Sequence, residues 1–340
     1  MRDGDWYLGY YSWEKLPGAA LTFGRMDSSI YCLSEPDVAF SDPEAGDANL
    51  PGEDGIRFGR DYQRQATVTF ELGVDTVDAP AYRHTVPPSA QGRRIGDFES
   101  NWRPGTSGRW QQNLDGVGML RQVWRADVLR HRPARVAWLE RRTGGRTRRL
   151  YGRPRKFEVA HSRLTRQGYT PVICTFVAFD DRFYTPERTG ELWINDTSGS
   201  YPRPGRPAAE RPPVSQTKTR LMVAGQAPTY PVVTIHGPTK NPKVSIGGLW
   251  EVQLSMTIGA REYVTIDARP WRRDVLKTSG SAVIGETSVA DKLTRASPRL
   301  GEMYLPPGVW MATLSHTSIA PGSTSGPRVT IMWRDAYTWW

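Results

Sequence analysis

The chain has 340 residues, 38% hydrophobic and 24% charged, with 13 Trp, 14 Tyr and 9 Phe, which excludes a disordered chain and allows two domains with their own cores. A net charge of +10 suits an acidic partner, nucleic acid or protein, without choosing between them. No window approaches the roughly 20 apolar residues of a membrane span, and two distant cysteines, Cys32 and Cys174, outside any CxxC pair, exclude a zinc ribbon or disulfide framework.

Residues 1–65 carry many turn signals, among them Leu16-Pro17-Gly18, Asp42-Pro43, Leu50-Pro51-Gly52 and Asp54-Gly55, and read as short strands joined by long loops. Thr67 to Leu72 then alternates with period two, Val68, Phe70 and Leu72 on one side, which predicts a half-buried strand. Residues 78–112, with Pro80 and Pro87-Pro88, read as an extended connection. Leu120, Val123, Trp124 and Val128 recur at helical spacing, so one amphipathic helix is predicted near 116–130, ending before Pro133. Strands are expected again at Val136 to Leu139, around Leu150-Tyr151, at Phe157 to Val159, and along the apolar run Val172 to Phe179.

The segment Tyr201 to Pro213 holds too many prolines for a ladder or a helix and reads as a semi-rigid spacer, giving a linker over 201–216. Beyond it, Trp250, Val252, Leu254, Met256 and Ile258 face one way and Glu251, Gln253, Ser255 and Thr257 the other. Tyr263 to Ile266, Val309 to Leu314 and Val329 to Trp333 repeat the habit, separated by turns such as Leu305-Pro306-Pro307-Gly308. Residues 217–340 therefore read as an antiparallel jelly-roll β-sandwich, and the fold class is mostly β in two domains, 1–200 and 217–340.

Signals for chemistry are sparse. His84, His131, His161, His236 and His316 are scattered without metal-ligand spacing, so no metal or other cofactor is expected. No phosphate-cradling glycine loop and no G-x-S-x-G elbow occurs, so no catalytic residue is assigned. Asp180, Asp181 and Glu191 are the carboxylates that a sugar-cleaving pair would draw on, although any β-rich chain offers such pairs. Asn195-Asp196-Thr197 matches the glycosylation pattern but reads as a turn, since residues 1–10 show no secretory leader. A reducing compartment follows as the simplest reading, with two buried thiols the more frequent outcome and one disulfide left open.

Eight cations stand together without an intervening acid: Arg141, Arg142, Arg146, Arg148, Arg149, Arg153, Arg155 and Lys156. Such a run is solvated charge on a hairpin, a nucleic-acid surface using Tyr151 and Phe157, or a subunit interface. No reader motif surrounds it, and arginine pairs bidentately with carboxylates, so a protein contact ranks above DNA recognition. Trp339 and Trp340 would expose a large apolar area if loose, so they are expected to anchor on the chain or on a neighbour.

Several segments together resemble the distal tail proteins of siphophages, especially the long forms, minor tail proteins of actinobacterial phages. They are Asp54-Gly55-Ile56-Arg57-Phe58-Gly59-Arg60-Asp61 before the strand at Thr67; Leu120 to Asp127 with Tyr151-Gly152-Arg153-Pro154-Arg155-Lys156-Phe157; and Gly225 to Pro231, Val233 to Pro238, Asn241-Pro242, Tyr263 to Asp267 and Leu305 to Gly308. The chain departs from the pattern at Val309, where asparagine is frequent, and in its Pro-rich segment.

The resemblance implies an N-terminal β-sandwich or split-barrel-like ring domain with one helix, and a C-terminal galectin-like sandwich. It implies a structural virion subunit, not an enzyme, forming a homohexameric ring at the tail tip. That ring would join the tail tube protein to the tip or baseplate hub proteins, pass genomic DNA through its channel without specific binding or membrane insertion, and assemble in the host cytoplasm. The rival readings are a carbohydrate-binding tail module that recognises the host cell wall and, behind it, a glycan hydrolase.

Overall fold

The alternation at Val68, Phe70 and Leu72 lies on a ten-residue strand of the first sheet, Ala66–Asp75. In the computed structural model, which describes residues 1–13, 16–49, 54–59, 61–75, 108–193, 217–279, 286–316 and 327–340, all three side chains are fully buried. The chain is mostly β and divides into two units, Met1–Phe183 with Trp339–Trp340, and Tyr184–Thr338.

The first unit contains β1 (Trp6–Trp13), β2 (Leu16–Phe23), β3 (Ile30–Cys32), β4 (Asp37–Phe40), β5 (Ala48–Asn49), β6 (Ile56–Arg57), β7 (Ala66–Asp75), β8 (Ala137–Thr143), β9 (Arg146–Val159) and β10 (Tyr169–Ala178). An antiparallel, nearly closed sheet runs in the order β2-β1-β8-β9-β10-β7-β3, with β4 also on β7, and among the described residues β5 pairs only with β6. Period-two burial of Leu8, Leu139, Leu150, Phe176 and Phe70 turns one face inward.

The two strands expected around Leu150 and Phe157 are one 14-residue strand, β9. Pro154 does not end it, because the register shifts there: Phe176 faces Pro154 and Cys174 faces Phe157. This bulge relieves a ladder of the N–H that proline lacks, and the Lys156 N–H turns instead to Thr175 Oγ1 at 3.0 Å. Glycine is required just before it, since a Cβ on Gly152 would lie 2.0 Å from the Val177 carbonyl oxygen.

The predicted helix is corrected at its start and in its continuity. α1 spans Arg109–Arg125, taking in residues expected to be extended, and α2 spans Asp127–Arg130. Its buried stripe is Asn113, Gly116, Val117, Leu120, Val123 and Trp124, a helical repeat whose first turn holds a polar and a small residue that hydrophobicity does not mark. Ala126, in the left-handed region at φ 46°, separates the two helices. Asn113 Nδ2 donates to the carbonyls of Val74 (2.8 Å) and Gly168 (2.9 Å), and its Oδ1 accepts from Thr170, which ties α1 to β7 and β10. Trp6, Phe23, Phe70 and Trp124 pack edge to face at 5.0 to 6.2 Å between centroids and fill the space beneath the helix.

After β11 (Phe183–Tyr184), where the division falls, the second unit is built from β12 (Arg188–Trp193), β13 (Lys218–Val223), β14 (Val232–His236), β15 (Thr239–Lys240), β16 (Lys243–Ile246), β17 (Trp250–Gln253), β18 (Thr257–Ile258), β19 (Glu262–Asp267), β20 (Asp274–Ser279), β21 (Thr287–Ser288), β22 (Gly308–Ser315), β23 (Arg328–Trp333) and β24 (Ala336–Tyr337). One sheet runs β12-β23-β14-β19-β20-β21 and the other β13-β22-β16-β17, and they share one apolar core. This is the antiparallel sandwich that the alternation predicts.

Two details differ. The division falls at Phe183/Tyr184 and not at 200, because β12 pairs along its whole length with β23. The strand read over Trp250 to Ile258 is two, β17 and β18, with Leu254 bridged to Leu293 between them and Met256 only half-buried. The proposed linker, 201–216, lies outside the described residues.

Candidate interaction surface

The basic run forms the hairpin expected of it. Arg141 faces Arg148 and Thr143 faces Arg146 across a turn at Gly144 and Gly145, whose φ values of 57° and 73° call for glycine. Strand alternation then gives neighbouring cations different work. Arg148 points to the face of Leu150 and is buried. Arg141 pairs with Glu35 and lies over the rings of Trp6 (5.0 Å) and Trp340 (5.5 Å). Arg149 pairs with Glu140 directly opposite it.

Arg153 holds the loop after α2. It donates to the carbonyls of Arg132, Pro133 and Arg135, with Nε at 3.1 Å from Arg135 O. Burial, and then the charge of Arg155, lower its pKa. Arg142 is exposed and contacts Asp3 at 3.4 Å and the Met1 carbonyl at 3.0 Å. Lys156 pairs with Glu158 at 2.8 Å, while Arg146 and Arg155 are exposed. The eight cations are therefore not one uniform patch: Arg141, Arg148, Arg149 and Arg153 serve the fold, and Arg142, Arg146, Arg155 and Lys156 face solvent.

Trp340 packs edge to face on Trp6 (5.0 Å) and against Phe183 (4.3 Å), so three aromatic or cationic groups of the first unit meet it. Trp339 lies near Phe40 (5.8 Å) but is 57% exposed. Trp340→Ala is expected to lower the stability of the first unit by about 2 kcal/mol, from lost ring contacts and cation–π attraction. Trp339→Ala should cost less than about 1 kcal/mol, as exposed positions do. Denaturant melts of both variants test the ranking, and equal losses would contradict it.

The remaining candidates do not converge. Among the described residues no group of His, Cys, Asp and Glu has metal-site geometry. Asp180 and Asp181 lie in the bend after β10, whereas Glu191 is on β12 and paired with Arg328. His236, half-buried against Tyr263 at 5.4 Å, has its pKa lowered by burial and then by Arg328. His84 and the Asn195-Asp196-Thr197 triplet lie outside the described residues. Cys32 and Cys174 are unbonded thiols; burial pushes the first to about 12 and raises the second too, so neither is a thiolate at neutral pH.

No family model matches the chain, and no curated protein matches it. Among solved structures, a chain from the phage P2 baseplate in its activated conformation with calcium superposes with a TM-score of 0.50 at 9% identity, covering 96% of this chain and 97% of that one. The same baseplate with strontium gives 0.49 at 9% identity over the same shares. The SPP1 Dit (gp 19.1) protein, described as a paradigm of the hub adsorption apparatus in phages infecting Gram-positive bacteria, gives 0.44 at 11% identity, covering 90% of this chain and 91% of that one. At such identities the likeness is one of fold, and this chain has the fold of a phage baseplate component, in agreement with its resemblance to distal tail proteins.

Proposed function

We propose that the chain is a non-catalytic structural subunit of a siphophage tail tip, forming a hexameric ring that joins the tail tube to the tip or baseplate and leaves a central channel for DNA. The observation that carries this reading is the likeness of fold to a phage baseplate chain over nearly the whole length, 96% of this chain and 97% of that one. The ordered sequence motifs that resemble distal tail proteins support it independently. The exposed cations Arg142, Arg146, Arg155 and Lys156 suit pairing with acidic faces of neighbouring subunits or tail proteins. Duplex DNA must slide through such a channel, and strong phosphate contacts would make release depend steeply on salt.

Negative-stain micrographs and native mass spectra of the full chain test the proposal. Six-membered closed rings are the expected result. A strict monomer at every concentration, or tight salt-sensitive DNA binding by the isolated subunit, would count against it.

A further inference from the structure

On the first unit the start of α1 packs against the 3-10 turn Arg163–Gln167, where Asn113 Nδ2 holds the Gly168 carbonyl at 2.9 Å. Their outward side chains form an exposed patch: Trp110 is 51% exposed and Leu164 42%, with Arg109, Arg163 and Arg166 exposed around them. The Arg166 guanidinium lies 5.8 Å from the centre of the Trp110 ring, which ties the apolar and cationic parts together. The support beneath is well bonded. Leu164 N–H donates to Ser162 Oγ at 3.2 Å, Ser162 N–H donates to Thr165 Oγ1 at 3.2 Å, and the buried hydroxyls of Thr165 and Thr170 meet at 3.3 Å. A half-exposed tryptophan on such a support is pre-organised for contact.

Charge says what kind of partner fits. Residues 109–112 and 161–168 hold three arginines and no acid, and among the described residues none of the three pairs with a carboxylate. Arg109 also opens α1, where a cation opposes the helix dipole, so its charge does not serve the helix. Tryptophan and arginine without lysine is the composition that contact hot spots favour, and arginine takes carboxylates bidentately. A second copy of the patch would set arginines against arginines. A nucleobase would compete with Arg166 for the Trp110 ring, and a lipid surface needs a broader apolar face than Trp110 and Leu164 provide.

We infer that this patch is the docking surface for a different protein, one that presents carboxylates around an apolar socket. The socket takes Trp110 and Leu164, and its carboxylates pair with Arg109, Arg163 and Arg166. Partly desolvated there, such charge-assisted bonds fix the register of the two surfaces. The inference rests on the reading of the chain as a tail-tip subunit, since an assembled tail is where such a partner is met.

Phage particles assembled with the full chain, carrying a photo-crosslinking phenylalanine analogue in place of Leu164, test it. Illumination should join position 164 to another protein of the particle, at a site flanked by Asp or Glu. Arg163→Glu with Arg166→Glu should reduce the crosslinked yield per incorporated chain at least about tenfold, as loss of hot-spot residues does. The melting temperature of the isolated variant should stay unchanged, because both side chains are exposed. Lys218→Glu with Arg220→Glu, the same change of charge at exposed positions of β13, should leave the yield unchanged. Replacing the mapped acids of the partner by arginine should restore the yield lost in Arg163→Glu with Arg166→Glu. A crosslink to a second copy of this chain, to DNA or to a site without acids overturns the inference. So does an equal loss in the β13 variant, or the absence of any crosslink in particles that contain the chain. Particles that lack the chain altogether would overturn the tail-tip reading itself.

Discussion

Trp124→Ala is expected to destabilise the first unit by about 3–5 kcal/mol, the range for deleting a large aromatic side chain from a core. Trp124 is 1% exposed and packs on Phe23 (6.2 Å) and Phe70 (5.9 Å) at the inner face of α1. Its Nε1 donates to the Thr175 carbonyl at 3.1 Å, so truncation opens a cavity and also removes that hydrogen bond. The helix is then held mainly by Asn113 and by the smaller residues Val117, Leu120 and Val123, and its end near Ala126 should loosen first. Thermal melting reads the effect as a fall of roughly 10 °C, at a few degrees per kcal/mol for a unit of this size. Trp124→Phe should recover part of the loss by refilling the volume without the indole donor. A melting temperature unchanged in Trp124→Ala would show that the helix does not depend on the aromatic cluster.

Asp335→Ala is expected to cost the second unit about 3 kcal/mol. The carboxylate is fully buried; Oδ1 accepts the Ala224 N–H at 2.9 Å, and Oδ2 lies 2.9 Å from Nη2 of Arg188. Breaking a buried charge pair costs about 3–5 kcal/mol when the remaining charge is stranded. The Arg188 side chain is 44% exposed and can return to water, which places the expectation at the lower end. Asp335→Asn keeps an acceptor for Ala224 and should lie between wild type and alanine. Denaturant titration gives the three stabilities, and an alanine variant as stable as wild type would mean that water enters and solvates the site.

Both predictions concern residues to which hydrophobic patterning assigns no special role or only a general one. Trp124 is recognisable as part of an apolar helical stripe, but its indole hydrogen bond to β10 is a pairing between residues 51 apart in sequence. Asp335 sits in an unremarkable Arg-Asp-Ala stretch, and its burial follows from the turn between β23 and β24. Asn113 is similar: a lone asparagine gives no signal until the segments carrying Val74, Gly168 and Thr170 surround it.

By itself the sequence determined what depends on short-range periodicity. Alternation at Val68-Phe70-Leu72, at Trp250-Val252-Leu254 and at Val329-Ile331-Trp333 identified inward faces, since a strand between core and water repeats every two residues. The basic run from Arg141 to Lys156 was likewise legible as a hairpin, and the structure places its turn at Gly144 and Gly145. Tertiary structure alone decided what long-range pairing controls. Partner strands join Leu150 and Phe157 into one strand across the bulge at Pro154, and pairing with Arg328–Trp333 assigns Arg188–Trp193 to the second unit. The same pairing separates buried Arg148 from exposed Arg146, two residues of one type on one strand. Their charge is encoded locally, but their desolvation is set by which chain segments fold over them.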